Sequence, residues 1–301
     1  MRALITGATG FVGQNLTKYF SASGISFSTL MRQELTGGDF SKLEKCDAVV
    51  HLAGKAHDVN NSSSANEYDH VNFELTRELF DAYVLSDCKK FVFISSVKAY
   101  ADHIEVPLTE EFLPNPKTPY GLSKLRAEQY MQSVILPPDK TLYILRPCMI
   151  HGPGNKGNLN LLYKFISSGI PYPLAAFENK RSFLSIENLC FVIRQILERN
   201  DISDGAYQVS DDMPLSTIEL VTLIGEALGQ KPVSWRINHN LVRTIAKIGD
   251  ILKLPLTSQT LDKLVENYVV DNTRLKQAIG CDLPIDAREG ILKTIRSFNK
   301  R

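Results

Sequence analysis

The stretch RALITGATGFVG at residues 2–13 decides the fold of this chain of 301 residues. Its first five residues form a short apolar run that predicts a buried strand, and residues 14–23 predict a helix. The turn between them carries Gly7, Gly10 and Gly13. A strand, a glycine turn and a helix in this order are typical of a dinucleotide-binding unit, although the spacing Gly-x-Gly-x-x-Gly is commoner. A plain glycine turn is the alternative.

Apolar runs and helical patterns alternate through the first half of the chain. Strands are predicted at about 2–6, 25–31, 47–52, 90–95 and 141–147, and helices at about 11–23, 66–87 and 119–135. Such alternation predicts a parallel sheet with helices on both faces. We therefore expect an α/β, Rossmann-like, doubly wound domain.

The alternation fades after Pro147, where Pro and Gly punctuate residues 152–173. Further helices are predicted at about 187–199, 216–228, 240–252 and 286–299. The sequence predicts a dinucleotide-binding domain over 1–150 plus 181–210. A smaller α/β cap that binds the substrate is expected over 151–180 plus 211–301.

Composition excludes several classes of function. A formal net charge of +1 gives no reason to expect nucleic acid or an acidic membrane surface as a partner. No apolar run approaches the roughly 20 residues that span a bilayer. The first strand begins at the N-terminus, so we expect no signal peptide and a cytoplasmic protein. The cysteines form no Cys-x-x-Cys pair, which predicts buried free thiols and no metal site.

The segment TPYGLSK at residues 118–124 predicts an acid/base group. Tyr120 and Lys124 are four residues apart and therefore lie on one face of a helix. Thr118 is the predicted N-cap of that helix and Pro119 its first residue. An ammonium beside a phenol lowers the pKa of the phenol, which is a route to proton transfer at neutral pH.

Together these motifs resemble the extended short-chain dehydrogenase/reductase superfamily and, within it, the nucleotide-sugar epimerase/dehydratase family. The resemblance covers nearly the whole chain. After the glycine turn, the family's elements follow in its order: 49–54, Asn72, 91–96, 120–124, 145–147, 151–154 and 181–184. The resemblance implies a dinucleotide cofactor, a nucleotide-sugar substrate and a homodimer formed through the helices near 66–87 and 119–135.

The resemblance assigns cofactor contacts to residues at the carboxyl ends of the strands. They are Gly7, Thr9, Gly10, Phe11, Val12, Gly13, Arg32, Asp39, Phe40, Leu52, Ala53, Gly54, Asn72, Tyr120, Lys124 and Pro147. Met31 stands where an acid would hold the ribose of NAD, and Arg32 follows it. An arginine there can pair with a 2′-phosphate, so NADP is predicted, unless Arg32 is a solvated loop residue. Asp39 is expected to bind the adenine amine.

The same resemblance gives the catalytic roles. Ser96 ends the fourth predicted strand and would polarise a carbonyl oxygen, with Ser95 as the alternative. Tyr120 would exchange a proton with the oxygen at C4 of the sugar. Lys124 would anchor the nicotinamide ribose. The cofactor performs the hydride transfer and the protein supplies geometry and charge.

Substrate contacts are predicted at Ser96, Lys98, Asn158, Leu159, Arg181 and Asp271. Arg181 would clasp the diphosphate with its planar fork. Lys98 is interpreted either as a substrate contact or as an exposed loop lysine. The polar stretch 58–65 is interpreted as a lid or a plain surface loop. Trp235 is expected in the core, with a base-stacking platform as the alternative. His51 is expected to be a packed strand residue rather than an acid/base, and His151 is interpreted as structural or, alternatively, as a contact in the pocket.

The preferred interpretation is a reductase that uses NADPH to reduce a UDP-4-keto-6-deoxyhexose. Residues 154–158 with Arg181 and Ser182 are similar to UDP-4-keto-6-deoxy-N-acetylhexosamine 4-reductases. A UDP-hexose 4-epimerase with tightly bound NAD is the close alternative. A dehydratase is disfavoured because Val97 and Lys98, not acids, follow Ser96. A non-catalytic NADP-sensing protein is the remote alternative, because such proteins usually lack the Tyr and Lys pair.

Overall fold

The computed structural model describes residues 1–55, 64–155, 157–252 and 257–298. Its strands are β1 (Arg2–Thr6), β2 (Ser26–Leu30), β3 (Ala48–His51), β4 (Lys90–Ile94), β5 (Thr141–Pro147), β6 (Met149–His151), β7 (Phe183–Ser185) and β8 (Gly205–Val209). Six of them form a parallel sheet in the order β2-β1-β3-β4-β5-β8, and β6 pairs with β7 in a separate two-stranded sheet.

Helices connect the strands. They are α1 (Phe11–Ala22), α2 (Arg32–Gly37), α3 (Ala65–Asp69), α4 (Leu75–Leu85), α5 (Pro119–Ser133), α6 (Asn158–Ser167), α7 (Ile186–Glu198), α8 (Thr217–Leu228), α9 (His239–Leu252), α10 (Ser258–Val265), α11 (Thr273–Ile279) and α12 (Ala287–Phe298). A wide π-helical turn at His70–Glu74 joins α3 to α4, and short 3-10 turns occupy Ser41–Lys45 and Val97–Ala99.

The main sheet is buried on both faces, as a parallel sheet must be. One core packs its strands against α1 and α7, through side chains such as Leu16 and Ile193. The other packs them against α4 and α5, through side chains such as Phe80 and Met131. The doubly wound α/β fold predicted from the alternating pattern is therefore confirmed.

The predicted strands and long helices agree with the structure to within about two residues at each end. Strand β8 returns to the main sheet beside β5, as the predicted boundary at 181–210 requires. The domain boundaries themselves stay a prediction. The sequence patterns missed several elements, some of them too short to display a period, such as β6 with three residues and α2 with six. They also missed α6, which has ten residues and lies within the stretch that Pro and Gly punctuate.

Two expectations about burial were wrong. Trp235 is 54% exposed, because its segment pairs with Tyr172 through the backbone and leaves the indole outside. Cys281 is exposed because it follows Gly280, which ends α11 in the left-handed conformation. The other four cysteines are buried free thiols, as predicted.

Two features of the described residues concern membranes and metal ions. Within those ranges no helix combines the length and the apolar character needed to cross a membrane. Over the same part of the chain, no cluster of three or more His, Cys, Asp or Glu side chains is arranged to hold a metal ion. Residues 58–63 of the predicted lid or loop lie outside the described residues.

Candidate active site

The backbone of the glycine loop packs directly against other backbone segments, with no room for side chains between them. Gly7 has a φ of +68°, and a Cβ built on it would lie 2.7 Å from the backbone nitrogen of Ala53. A Cβ on Gly13 would lie 2.3 Å from the carbonyl oxygen of Gly7. Both positions therefore require glycine. Gly10 is the N-cap of α1 and contributes no side-chain hydrogen bond there, which leaves the helix N-terminus to accept an anion.

A cavity of about 600 Å³ opens above this loop. Its walls include seven of the predicted cofactor residues, namely Gly7, Thr9, Gly10, Arg32, Leu52, Ala53 and Gly54. A second cavity of the same volume lies beside Met1 and Asp47, at the amino ends of the strands. Ligands of open α/β sheets bind at the carboxyl ends of the strands, so the first cavity is the candidate cofactor site.

Asp39 and Phe40 do not line this cavity. The carboxylate of Asp39 accepts a hydrogen bond from the Ser41 amide at 3.2 Å, and Phe40 packs against the core under the sheet. Leu35, Thr36, His70, Val71 and Leu75 line the corresponding wall instead. The contact between Asp39 and the adenine amine stays a prediction, and α2, which carries Leu35 and Thr36, was not predicted.

Two charged residues follow the end of β2. Arg32 lines the cavity, and Glu34 is already paired with another residue. Arg32 is the first residue of α2, lines the cavity and is exposed. The Glu34 carboxylate accepts the Met31 amide at 2.7 Å and pairs with Lys42 at 2.7 Å. The hydrogen bond from Lys42 is the largest cause that lowers the pKa of Glu34. The charge of Glu34 is thus balanced, and that of Arg32 faces the cavity.

Local sequence fixes the start of α5 as predicted. The Thr118 hydroxyl accepts a hydrogen bond from the Gly121 amide at 3.2 Å, and Pro119 is the first helical residue. The Asp102 carboxylate accepts the Lys117 amide at 2.6 Å and the Thr118 hydroxyl at 3.2 Å. These contacts hold Tyr120, in the first turn, at a defined place.

Tyr120 lies against Ser96. The two side chains share a hydrogen bond, and the ring of Tyr68 meets the Tyr120 ring edge-on at a centroid separation of 6.0 Å. Burial raises the pKa of Tyr120, and the hydrogen bond from Ser96 opposes that rise. The expectation that Lys124 lowers this pKa was wrong here, because desolvation dominates.

Lys124 is 5% exposed and points toward the end of β4. Its Nζ donates to the Ile94 carbonyl at 2.9 Å and lies 4.6 Å from the centroid of the Phe93 ring. Burial lowers the pKa of Lys124 to about 8, whereas the charge of Glu128 acts in the opposite direction. The Nζ also lies 3.3 Å from the point where a Cβ on Gly54 would stand, so it reaches the predicted cofactor loop.

The structure separates the two candidate serines. Ser95 is buried and donates its hydroxyl to Glu128, whereas Ser96 meets Tyr120. Ser96 is therefore the serine that can share a carbonyl oxygen with Tyr120. Ser95 lies beneath the site, where it contacts Glu128.

Asn72 connects the elements around the site. Its Nδ2 donates to the Ser123 hydroxyl at 3.0 Å, and its Oδ1 accepts the Lys55 amide at 2.7 Å. It sits in the π-helical turn between α3 and α4 and is fully buried. Its direct contact with a cofactor stays a prediction, as does that of Pro147 at the end of β5.

The predicted substrate residues are dispersed. Lys98 donates to the Asp102 carbonyl at 2.8 Å and lies 4.3 Å from the centroid of the Tyr268 ring, so it is not a solvated loop lysine. Arg181 pairs with Glu266 at 3.2 Å. The Asp271 carboxylate accepts the Thr273 amide at 2.8 Å.

The first residues of α6 divide between surface and core. Asn158 is exposed at the first position of α6. Leu159 is 3% exposed and packs in the core between α6, α8 and α12. Contacts of Asn158 and Leu159 with a substrate stay predictions.

His51 and His151 are both buried and make contacts within the fold, as expected. His51 is 1% exposed and shares hydrogen bonds with Thr6 at 2.7 Å and Thr76 at 2.9 Å. Burial lowers the pKa of His51 to about 3, so the ring is neutral. His151 is buried and its Nδ1 meets the Thr294 hydroxyl at 2.9 Å, which ties β6 to α12.

The parallel sheet, the glycine loop at its carboxyl edge and the Ser–Tyr–Lys set define an extended short-chain dehydrogenase/reductase. Within that class the chain belongs to the NAD dependent epimerase/dehydratase family, whose model matches residues 3–210.

The chain is also similar to individual nucleotide-sugar enzymes. A UDP-glucose 4-epimerase of Vibrio cholerae is 31% identical over 98% of this chain and 94% of its own length. The solved structure of MoeE5 in complex with UDP-glucuronic acid and NAD is 20% identical, with a TM-score of 0.78 over 100% of this chain and 99% of that one. RMD from Pseudomonas aeruginosa, complexed with NADPH, is 21% identical with a TM-score of 0.74 over 100% and 99%.

Proposed function

We propose that the protein is an NADP-dependent nucleotide-sugar oxidoreductase that reduces the C4 keto group of a UDP-4-keto-6-deoxyhexose. The observation that carries the proposal is the hydrogen bond between the side chains of Tyr120 and Ser96, which brings two hydroxyl groups to one point. The phenol carries its proton at neutral pH, since its ordinary pKa is about 10 and burial only raises it. Reduction of a ketone needs a proton donor at the carbonyl oxygen, and a protonated phenol is such a donor.

Each residue of the set has a defined task in this reaction. Ser96 donates a hydrogen bond to the carbonyl oxygen, and Tyr120 delivers the proton to the same atom as the alcohol forms. Lys124 lies beside Gly54 and Tyr120 and would bind the nicotinamide ribose. The dinucleotide, when bound, supplies the hydride.

The residues present fit a dinucleotide. The glycine loop approaches Ala53 so closely that a Cβ on Gly7 would collide with it, and the helix N-terminus at Gly10 suits a pyrophosphate. At the substrate end, Arg181 would bind the diphosphate, which would then share the guanidinium with Glu266. The homodimer through α4 and α5 stays a prediction that rests on the resemblance.

The choice of NADP rests on Arg32, and its removal is the test. In Arg32→Ala we expect the Kd for NADPH to rise by a factor of about 10 to 100, the effect of one charge-assisted hydrogen bond, and the Kd for NADH to change little. Fluorescence titration of the reduced dinucleotides measures both. Arg243→Ala, an exposed arginine on α9, is the matched control. Equal weakening of both dinucleotides would show that Arg32 does not read a 2′-phosphate.

A UDP-hexose 4-epimerase with tightly bound NAD is the second candidate, favoured by the relative that is 31% identical. The two activities differ in what they do to the cofactor. A reductase consumes NADPH in proportion to the keto sugar added, whereas an epimerase interconverts UDP-glucose and UDP-galactose with no net change in the dinucleotide. Acid release and identification of the dinucleotide carried by the purified protein, followed by both assays, decides between them. Tightly bound NAD with epimerisation would overturn the reductase.

A further inference from the structure

We infer that Glu128 is a positioning residue, whose buried carboxylate keeps the Lys124 ammonium charged and holds the segment that carries Ser96 in place. The effect on the reaction rate rests on the proposed function. The effect on the charge of Lys124 does not depend on it. Glu128 was not among the residues that the sequence singled out.

Glu128 lies at the centre of a buried polar network. It is 1% exposed and follows Lys124 by four residues, as Lys124 follows Tyr120, so the three side chains share one face of α5. Its carboxylate accepts the Ser95 hydroxyl, next to Ser96. It also accepts Arg146 from Nε at 3.0 Å and from Nη2 at 2.7 Å.

Arg146 completes the network on β5. Its side chain is 1% exposed, and its guanidinium lies 3.9 Å from the centroid of the Tyr100 ring. A buried charge must be paired and hydrogen-bonded, and both members of this pair are. Glu128 therefore has a fixed position under the end of β4, where Ser95 and Ser96 leave the sheet.

The surroundings of Lys124 make Glu128 its electrostatic partner. The Lys124 ammonium contacts the Ile94 carbonyl and the Phe93 ring, both on β4. On β3 it faces the ring of His51, which is neutral. The π-helical turn presents the amide of Asn72, and β5 contributes Arg146, whose cation pairs with Glu128. On α5 itself Tyr120 is a neutral phenol. Among these groups Glu128 supplies the negative charge.

The sign of the effect follows from this arrangement. A lysine loses its charge as the pH rises through its pKa in the folded protein, and the pKa of Lys124 is already lowered to about 8 by burial. Without the carboxylate, the ammonium is less stable still, so the charge is lost at a lower pH. If Lys124 binds the nicotinamide ribose as proposed, kcat/KM should fall over the same pH range, since it reports the free enzyme.

The test is a titration of Lys124 in Glu128→Gln, which keeps the shape of the side chain and removes its charge. Lysines labelled with ¹³C at Cε are titrated by NMR, and the signal of Lys124 is identified by its loss in Lys124→Met. We expect a midpoint near 8 in the unmodified protein and a fall on the order of one pH unit in Glu128→Gln. Glu187→Gln, which removes an exposed carboxylate, should leave the midpoint unchanged. An unchanged midpoint in Glu128→Gln overturns the inference.

A second variant covers the case in which Glu128→Gln leaves Arg146 unpaired and does not fold. The double variant Glu128→Gln/Arg146→Met removes both buried charges, so its reference is Arg146→Met alone, in which only the cation is lost. We expect a lower Lys124 midpoint in the double variant than in Arg146→Met, and equal midpoints in the two would also overturn the inference. Neither titration needs turnover, so a lowered midpoint in a protein that reduces no keto sugar would reject the proposed function and leave the role of Glu128 standing.

Discussion

Tyr120→Phe is expected to lower kcat by a factor of about 10² to 10⁴, the usual contribution of a positioned general acid. Phenylalanine keeps the ring, and with it the contact with Tyr68, but it removes the hydroxyl that meets Ser96. Because most of the predicted dinucleotide contacts lie on other elements and Lys124 is unchanged, the Kd for NADPH should change by less than about twofold, well under the factor of ten that 1.4 kcal/mol represents.

Rates are measured as NADPH oxidation with a UDP-4-keto-6-deoxyhexose, and the Kd by fluorescence titration. Tyr130→Phe is the matched control, because Tyr130 is on the same helix and donates its hydroxyl to Asp81 at 2.6 Å, away from the site. If Tyr120→Phe retained the full kcat, Tyr120 would not be the proton donor.

Arg146→Met is expected to destabilise the fold by about 3–5 kcal/mol, the effect of leaving a buried charge without its partner. The variant removes two hydrogen bonds to Glu128 Oε2 and leaves that carboxylate under the sheet with the Ser95 hydroxyl. It also removes the cation that lies over the Tyr100 ring. Denaturant unfolding followed by circular dichroism measures the change in the free energy of unfolding.

Two comparisons make that measurement specific. Arg194→Met breaks an exposed pair with Glu198 on α7 and should cost less than about 1 kcal/mol. Adding Glu128→Gln to Arg146→Met removes the orphaned charge and should restore part of the lost stability. A cost for Arg146→Met as small as that for Arg194→Met would mean that water or a neighbour replaces the guanidinium.

The sequence predicted those parts of the site that depend on local signals. The glycine turn follows a strand and opens a helix, so its function can be recognised from neighbours in the chain. The start of α5 was predicted for the same reason, since Thr118 and Pro119 are direct N-terminal signals. Tyr120 and Lys124 then had to share a face, because helix geometry leaves no alternative.

Contacts between distant residues could not be predicted in this way. Glu128 meets Arg146, and Arg181 meets Glu266, across separations in sequence that no period or motif encodes. The direction of the pKa shift at Tyr120 was missed because burial, which dominates it, is a property of the packed fold. The cavity wall formed by Leu35 and Thr36 was not predicted, because α2 is too short to be recognised.

Tyr120, Lys124 and Glu128 all lie on α5, and this has a consequence for engineering. Residues four apart on a helix are separated by about 6 Å along its axis, and backbone hydrogen bonds maintain that spacing. Arg181 and Asp271, two of the predicted substrate residues, by contrast lie outside α5 and outside the segment that carries Ser96. Substitutions at these two residues can therefore be screened for a new sugar preference without retuning the proton donor, and a library confined to them should keep a common pH profile.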